Sequence, residues 1–388
     1  MNITHVSEVP LETLHTMATC QTLVNLDDEL IGDPLEKATL QAIDWTLTKN
    51  DVVICKKPNK IAASAASSNS SSSKTSTSSS SSIGWKIYQR FHFSSALKRM
   101  SVIAGHTRPG SADTNYIATC KGAPEILKSM IRNVPSNYDD IYLHYAREGA
   151  RVLCLGYNEL GILAHQELRD LKREDVEKEL TFVGFVVISC PLKPDSKSVV
   201  REILHASHHI TMITGDNPLT ACHVASQLKM IDKKYALVLT RKNDANFNAT
   251  TTTTTVNDAN KKNVDNQSTT TTSEWCWKSI VDDKLEKNIH FAIDQLKYYK
   301  LKPKKSSSSN TDSSGADSSP SYYYLCLTGE GFEYLFRHEN ELLKRIIASV
   351  KVFARVSPKQ KEFVVTMLKS LGYVALVCGE GTNDVGAL

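Results

Sequence analysis

The sequence predicts a two-part α/β chain, with an antiparallel α+β first half followed by a parallel sheet covered by helices. Residues 85–93 alternate strictly: Trp85, Ile87, Phe91 and Phe93 fall on one side, Lys86, Tyr88, Arg90 and His92 on the other. That is the pattern of a half-buried antiparallel strand. From about residue 181, short and nearly continuous apolar runs at 182–189, 210–214, 235–239, 322–328, 350–354 and 373–378 alternate with helix-like segments. This alternation marks a parallel sheet buried on both faces. At 388 residues, 41% of them hydrophobic and 23% charged, the chain holds enough apolar material for two cores.

In order along the chain, residues 33–48 read as an amphipathic helix with a turn-like Gly-Asp-Pro entry. Further strands follow the alternating one at 100–104, 116–121 and 151–157, with helical segments after Ala123 and at 163–179. In the second half, helices are expected at 196–206, 218–230, 339–348 and 358–371. Three low-complexity stretches interrupt these elements without dividing them: a serine run at 64–82, threonine-rich 243–273, and Lys/Ser/Asp-rich 302–321. The expected domains are 1–180 and 181–388. Trp275 and Trp277, just after the threonine run, read as a loop anchor.

Composition narrows the function classes. A net charge of +4 without a basic block argues against a nucleic-acid binder. The longest apolar runs are about half of a bilayer crossing, and no basic start followed by an apolar stretch opens the chain. Nine scattered cysteines without a CxxC pair suit reduced thiols better than disulfides or zinc. The expectation is a soluble, intracellular chain. His205, His208 and His209 read as solvated cations at a helix end.

The unusual residues of the second half sit where strands end, the usual ligand edge of a parallel sheet. Thr214-Gly215-Asp216-Asn217-Pro218 combines a hydroxyl, a tight turn, two capping candidates and a proline suited to a first helical turn. Free N–H groups at such a helix start would cradle a phosphoryl oxygen. Gly379-Glu380-Gly381-Thr382-Asn383-Asp384 places two carboxylates in a glycine-rich turn, where they could converge on magnesium. Ala354-Arg355-Val356-Ser357-Pro358 leads to Lys361, bringing positive charge to a helix start. Hydroxyl, lysine and paired carboxylates together suit phosphoryl transfer. The nucleophile such a site needs is absent, for no Asp-Lys-Thr-Gly occurs in the sequence.

These three motifs resemble the phosphorylation domain of P-type ATPases, which has the haloacid dehalogenase-like fold. Phe93-Ser94-Ser95-Ala96-Leu97-Lys98-Arg99-Met100-Ser101-Val102 and Lys121-Gly122-Ala123-Pro124-Glu125 resemble the nucleotide-binding domain of that family. The wording of 382–388, with His92-Phe93 and Cys190-Pro191-Leu192-Lys193, is most similar to the type 5A subgroup. The resemblance implies a haloacid dehalogenase-like parallel-sheet phosphorylation domain plus an α+β antiparallel-sheet nucleotide-binding domain. It implies ATP and Mg2+ as cofactors and an aspartyl-phosphate mechanism at the cytosolic face of the endoplasmic reticulum. Partners in an intact protein would be its own membrane helices, an actuator domain, and a transmembrane-helix or cation substrate.

By the same resemblance, Phe93 would stack on adenine, although its strand pattern also suits packing into a core. Lys98, Lys121 and Arg151 would meet the phosphates, the Lys121-Gly122 loop would approach the nucleotide, and Glu36 would be a nucleotide-site acid. Thr214, Gly215, Asp216, Arg355, Lys361 and Asn383 would serve the transferred phosphoryl group, and Glu380 with Asp384 would hold magnesium. The family has aspartate where this chain has Glu380, one methylene longer, which predicts weaker magnesium binding. The chain reads as a partial gene product without the acceptor aspartate or membrane helices. Two other readings stand beside this one: a soluble phosphatase of the same superfamily, and a non-catalytic nucleotide-binding module.

Overall fold

The computed structural model describes residues 3–56, 84–108, 110–242, 274–282, 284–293, 323–379 and 384–387. The three low-complexity stretches, Glu380 and Asn383 lie outside them. Contacts divide the chain into two units. One joins Met1–Tyr142 with Val152–Ile188; the other joins Leu143–Arg151 with Ser189–Leu388.

Seven strands form the sheet of the first unit in strict chain order: β3 (Trp45–Leu47), β4 (Val52–Cys55), β5 (Gly84–Ser94), β6 (Arg99–Thr107), β7 (Thr114–Gly122), β8 (Arg151–Ile162) and β9 (Thr181–Ile188). Pairing is antiparallel from β3 through β8. A separate hairpin of β1 (Val24–Leu26) and β2 (Glu29–Ile31) precedes it. Helices α1 (Leu11–Thr19) and α2 (Pro34–Ala42) cover one face, where Leu14, Ala18 and Leu40 pack on Trp45, Trp85, Ile87 and Val102. The short helices α3 (Pro124–Leu127) and α4 (Tyr138–Arg147) lie between β7 and β8 in the chain. Those following β8, α5 (His165–Asp170) and α6 (Arg173–Val176), supply Leu168 and Val176 to a second cluster with Ile103, Tyr116 and Ala118.

Four expectations need correction in this unit. The helix expected over 33–48 stops at Ala42: Asp44 turns with φ of 57°, and Trp45 starts β3 opposite Cys55. Apolar residues at 42–47 fit either period, and an available strand edge decides between them. The helix expected at 163–179 is two short ones. The alternation in β5 is also broken by an irregularity between Ile87 and Gln89, which shifts the phase of the strand. Trp85 and Ile87 therefore face one core, while Phe91 packs against the other. The run 182–189 forms β9 of this antiparallel sheet and takes no part in the parallel one.

The second unit holds a six-stranded sheet ordered β10 (Met212–Ile213), β15 (Val350–Ala354), β14 (Tyr324–Thr328), β11 (Ala236–Arg241), β12 (Trp275–Ser279) and β13 (Glu286–Asn288). The first four are parallel, and β12 and β13 extend the sheet antiparallel. Besides α7 (Ser196–His205), its helices are α8 (Pro218–Gln227), α9 (Gly329–His338), α10 (Asn340–Ile346) and α11 (Pro358–Ser370). Leu237, Leu239, Phe353, Phe332, Leu343 and Val364 form the core. Trp275 and Trp277 are no loop anchor: both are buried strand residues, and the Trp277 indole donates to the Ile289 carbonyl at 2.9 Å.

Residues 373–378, expected as a strand, pair with no strand among the described residues. Val374 and Leu376 are fully or nearly fully exposed, at 103% and 92%. An apolar run becomes a strand only where an edge offers it ladder partners. The chain instead leaves α11 through Gly372, whose φ of 89° closes the helix with a Tyr373 N–H bond to the Leu368 carbonyl.

Candidate functional site

In the first unit, the site residues gather at one end of the sheet because register puts them there. Ser94 pairs with Arg99, Arg99 with Gly122, and Met100 with Lys121. The turn between β5 and β6 thus lies beside the end of β7. It is a tight turn, with Lys98 at φ 53° and its N–H bonded to the Ser94 carbonyl at 2.7 Å. The Lys98 carbonyl in turn accepts the Ala123 N–H at 3.0 Å. Gly122 fits against this junction only because it lacks a side chain; a Cβ there would lie 2.8 Å from the Lys98 carbonyl oxygen and 2.7 Å from the Arg99 Cβ. Phe93 reaches outward from the turn's first strand and is 59% exposed. The core-packing alternative for Phe93 does not hold.

Glu36 lies in the first turn of α2, which Asp33 caps by accepting the Leu35 N–H at 2.7 Å, with Pro34 as its first residue. This places the carboxylate against Lys121: Nζ donates to Oε1 at 2.6 Å. Thr22 donates to Oε2 twice at 2.8 Å, from its amide and its hydroxyl. Burial pushes the Glu36 carboxyl up, but the Lys121 ammonium and these hydrogen bonds outweigh it and hold the group below the usual carboxylate range. The pair supplies a cation whose position is set by a carboxylate behind it. Thr22 carries no motif and was not foreseen.

In the second unit, Thr214-Gly215-Asp216 leaves β10 and Arg355 leaves β15, two neighbouring parallel strands. The Thr214 N–H donates to the Phe353 carbonyl at 2.8 Å, and the Arg355 N–H to the Asp216 carbonyl at 3.1 Å. Within the turn, the Asp216 N–H bonds the Thr214 hydroxyl at 3.1 Å. Asn217, not Asp216, caps α8 by accepting the Leu219 N–H at 2.9 Å. Arg355 adopts φ 56°, a left-handed conformation uncommon for a residue with a side chain, and its Nη1 donates to the Gly215 carbonyl at 3.3 Å. Arg151 is counted with this unit, where its guanidinium donates to Asp216 Oδ1 at 2.6 and 3.1 Å.

Ser357 and Gln360 form a capping box at the start of α11, and Gln360 also donates to the Gly329 carbonyl at 2.9 Å. That spacing was legible and Gln360 was overlooked. The cap directs Lys361 to Asp384, with Nζ donating to Oδ1 at 2.7 Å. Both side chains are largely buried. Asp384 also presses on Gly379, where a Cβ would lie 2.8 Å from its carboxylate. Thr214 and Arg355 therefore follow the C-terminal ends of two adjacent strands, and Lys361, in the first turn of the helix after the second strand, draws Asp384 to it.

Comparison with known proteins fits this geometry. Residues 16–195 match the sequence model of the family described as P-type ATPase, cytoplasmic domain N. The antiparallel sheet with its flanking helices is consistent with that domain, so residues 16–195 are identified with the cytoplasmic domain N of P-type ATPases. Nearly its whole length is similar to the Probable manganese-transporting ATPase PDR2 of Arabidopsis thaliana, 35% identical over 385 residues, which is 99% of this chain and 26% of the relative. The Endoplasmic reticulum transmembrane helix translocase of Saccharomyces cerevisiae is 33% identical over 391 residues, covering 100% of this chain and 26% of the relative. The human Probable cation-transporting ATPase 13A5 is 30% identical over 374 residues, 96% of this chain and 27% of the relative. The chain thus spans about a quarter of the length of the curated relatives it matches. Among the described residues, no helix is long and apolar enough to cross a membrane.

Proposed function

We propose that the first unit, ending at Ile188, is the nucleotide-binding domain of a type 5A P-type ATPase and the second unit part of its haloacid dehalogenase-like phosphorylation domain. In the intact protein, ATP would phosphorylate an aspartate, and turnover at the endoplasmic reticulum would drive transmembrane-helix extraction or cation transport. One observation carries the reading: an outward-facing Phe93 and the carboxylate-held Lys121 occur at the same end of one sheet. An aromatic platform beside a fixed cation suits a purine triphosphate.

In this reading Phe93 stacks on adenine and Lys98 and Lys121 face the phosphates, whereas Arg151, expected with them, is held on Asp216 in the other unit. Gly122 lets the backbone come close, and Glu36 sets the Lys121 ammonium. Thr214, Gly215, Asp216, Arg355, Lys361 and Asn383 serve the transferred phosphoryl group. Asp384 and Glu380 would hold magnesium, which would supply positive charge to the phosphoryl oxygens, and Lys361, paired with Asp384, would face the same oxygens.

Titration of the 388-residue chain with ATP tests the nucleotide site. Phe93→Ala should weaken binding roughly 5- to 150-fold, the equivalent of about 1–3 kcal/mol for one stacked base. Unchanged affinity in a normally folded variant would sink the reading.

A further inference from the structure

We propose that Glu177 is a positioning residue for this nucleotide site, holding through two arginines both sides of the turn that presents Phe93 and Lys98. The inference rests on the nucleotide-site reading above. Glu177 follows α6, and its side chain is only 2% exposed. Its carboxylate accepts Arg99 Nε at 2.6 Å on Oε2 and the Ser101 hydroxyl at 2.7 Å on Oε1. Arg173 Nη1 lies 3.3 Å from Oε1, an ion pair off the line of a hydrogen bond.

Each arginine has a second attachment. Arg173 Nη2 donates to the His92 carbonyl at 2.6 Å, and its guanidinium lies over the Phe91 ring, 5.8 Å from the centroid. Arg99 Nη1 donates to the Leu97 carbonyl at 3.3 Å. The two carbonyls immediately precede Phe93 and Lys98. One buried carboxylate therefore reaches the peptide in front of each residue assigned to the nucleotide.

The ladder does not do this work itself. Register between β5 and β6 is regular at Phe91 opposite Ser101, then shifts before Ser94 opposite Arg99. His92 and Phe93 lie in the irregular part, and Lys98 sits at positive φ. A turn of this kind has alternatives unless side chains restrict it. Burying one carboxylate against two guanidinium groups is also a poor route to stability alone, because well-packed apolar residues commonly do as well or better. Its value here is directional, since a guanidinium fork fixes the angle between carboxylate and carbonyl.

The test measures ATP affinity and thermal unfolding of the 388-residue chain for Glu177→Gln, Phe93→Ala and the double variant. Glu177→Gln should melt cooperatively and bind ATP about 5- to 10-fold more weakly. In the Phe93→Ala background that factor should shrink to about 2-fold or less, because the part carried through Phe93 is already lost and only the part through Lys98 remains. If Phe93→Ala weakens ATP while Glu177→Gln leaves it unchanged, the positioning role is wrong. An equal loss from Glu177→Gln in both backgrounds would mean general loosening, and would overturn it as well. No effect of Phe93→Ala would instead refute the nucleotide-site reading itself. Should Glu177→Gln fail to fold, Arg173→Lys carries the same test: it keeps a charge for Glu177 but lacks the fork to the His92 carbonyl. It should weaken ATP about 3-fold, and unchanged affinity would again overturn the proposal.

Discussion

The two sheets of this protein reach their stability by different routes. In the first unit each strand from β3 to β8 pairs with the next in the chain, so loops between partners carry the closure. In the second, β10 pairs with β15 through Met212 and Val352, which are far apart in sequence, and β10 itself is only two residues long. The first sheet places its functional turn by register with immediate neighbours. The second places its turns at the ends of parallel strands, and leaves Tyr373, Val374 and Leu376 exposed. An apolar run with the right composition stays outside a sheet that offers it no edge.

This contrast predicts a large difference within the second unit. Phe353 on β15 is fully buried, so Phe353→Ala should cost about 3–5 kcal/mol in denaturant unfolding. Leu376→Asn, on an equally apolar run, should change stability by no more than about 0.5 kcal/mol. A comparable loss from both would mean that the run is packed in solution, and the contrast between sheet and run would fail.

The next effect belongs to the first unit and is read against pH. His15 on α1 packs between Trp45 and Trp85, with ring centroids 6.1 and 4.9 Å away. Burial pushes its pKa down to about 4, helped by His106 and opposed by Glu12. The unfolded chain takes up a proton near 6.5 that the folded chain refuses. Stability is therefore complete above 6.5, falls as pH drops toward about 4, and then levels, a loss on the order of 3 kcal/mol. Glu36 acts in a lower window: its depressed pKa contributes stability above the ordinary value of 4.5 that is lost as pH falls through the folded value. His15→Leu should remove the upper loss and leave the Glu36 limb. An unchanged slope between pH 6.5 and 4 in that variant would exclude His15 as its source.

What could be read beforehand divides along the same line. The strands around 85–121 and the helix starts at 196, 218 and 358 follow from local period and capping residues, and they lie where those signals put them. The phase shift after Ile87 did not, because one extra residue in a strand leaves no mark in an alternating pattern. Nor did β12, whose two tryptophans follow a low-complexity stretch and gain their meaning from a distant partner, β11. In the site, residues carried by motifs were legible, but those that hold them were not. Thr22, Glu177 and Arg173 are ordinary in sequence, and only folding shows what each reaches. Gln360 is the exception, since its spacing from Ser357 announces the cap.

The smallest expected effect sets the two units side by side. Glu36 and Lys361 each occupy the first turn of a helix opened by a capping residue and a proline, Asp33-Pro34 in one unit and Ser357-Pro358 in the other. Asp33→Ala and Ser357→Ala should each cost about 1 kcal/mol of stability. The consequences for ATP should differ. Fraying α2 loosens Glu36 behind Lys121, so Asp33→Ala should also weaken nucleotide binding, by about 2- to 3-fold. Ser357→Ala should leave it unchanged, because Lys361 meets Asp384 and not the adenine or its attached phosphates in this arrangement. Equal losses of ATP affinity from both caps would show that nucleotide binding draws on the second unit as much as on the first. The division of labour between the two sheets would then have to be given up.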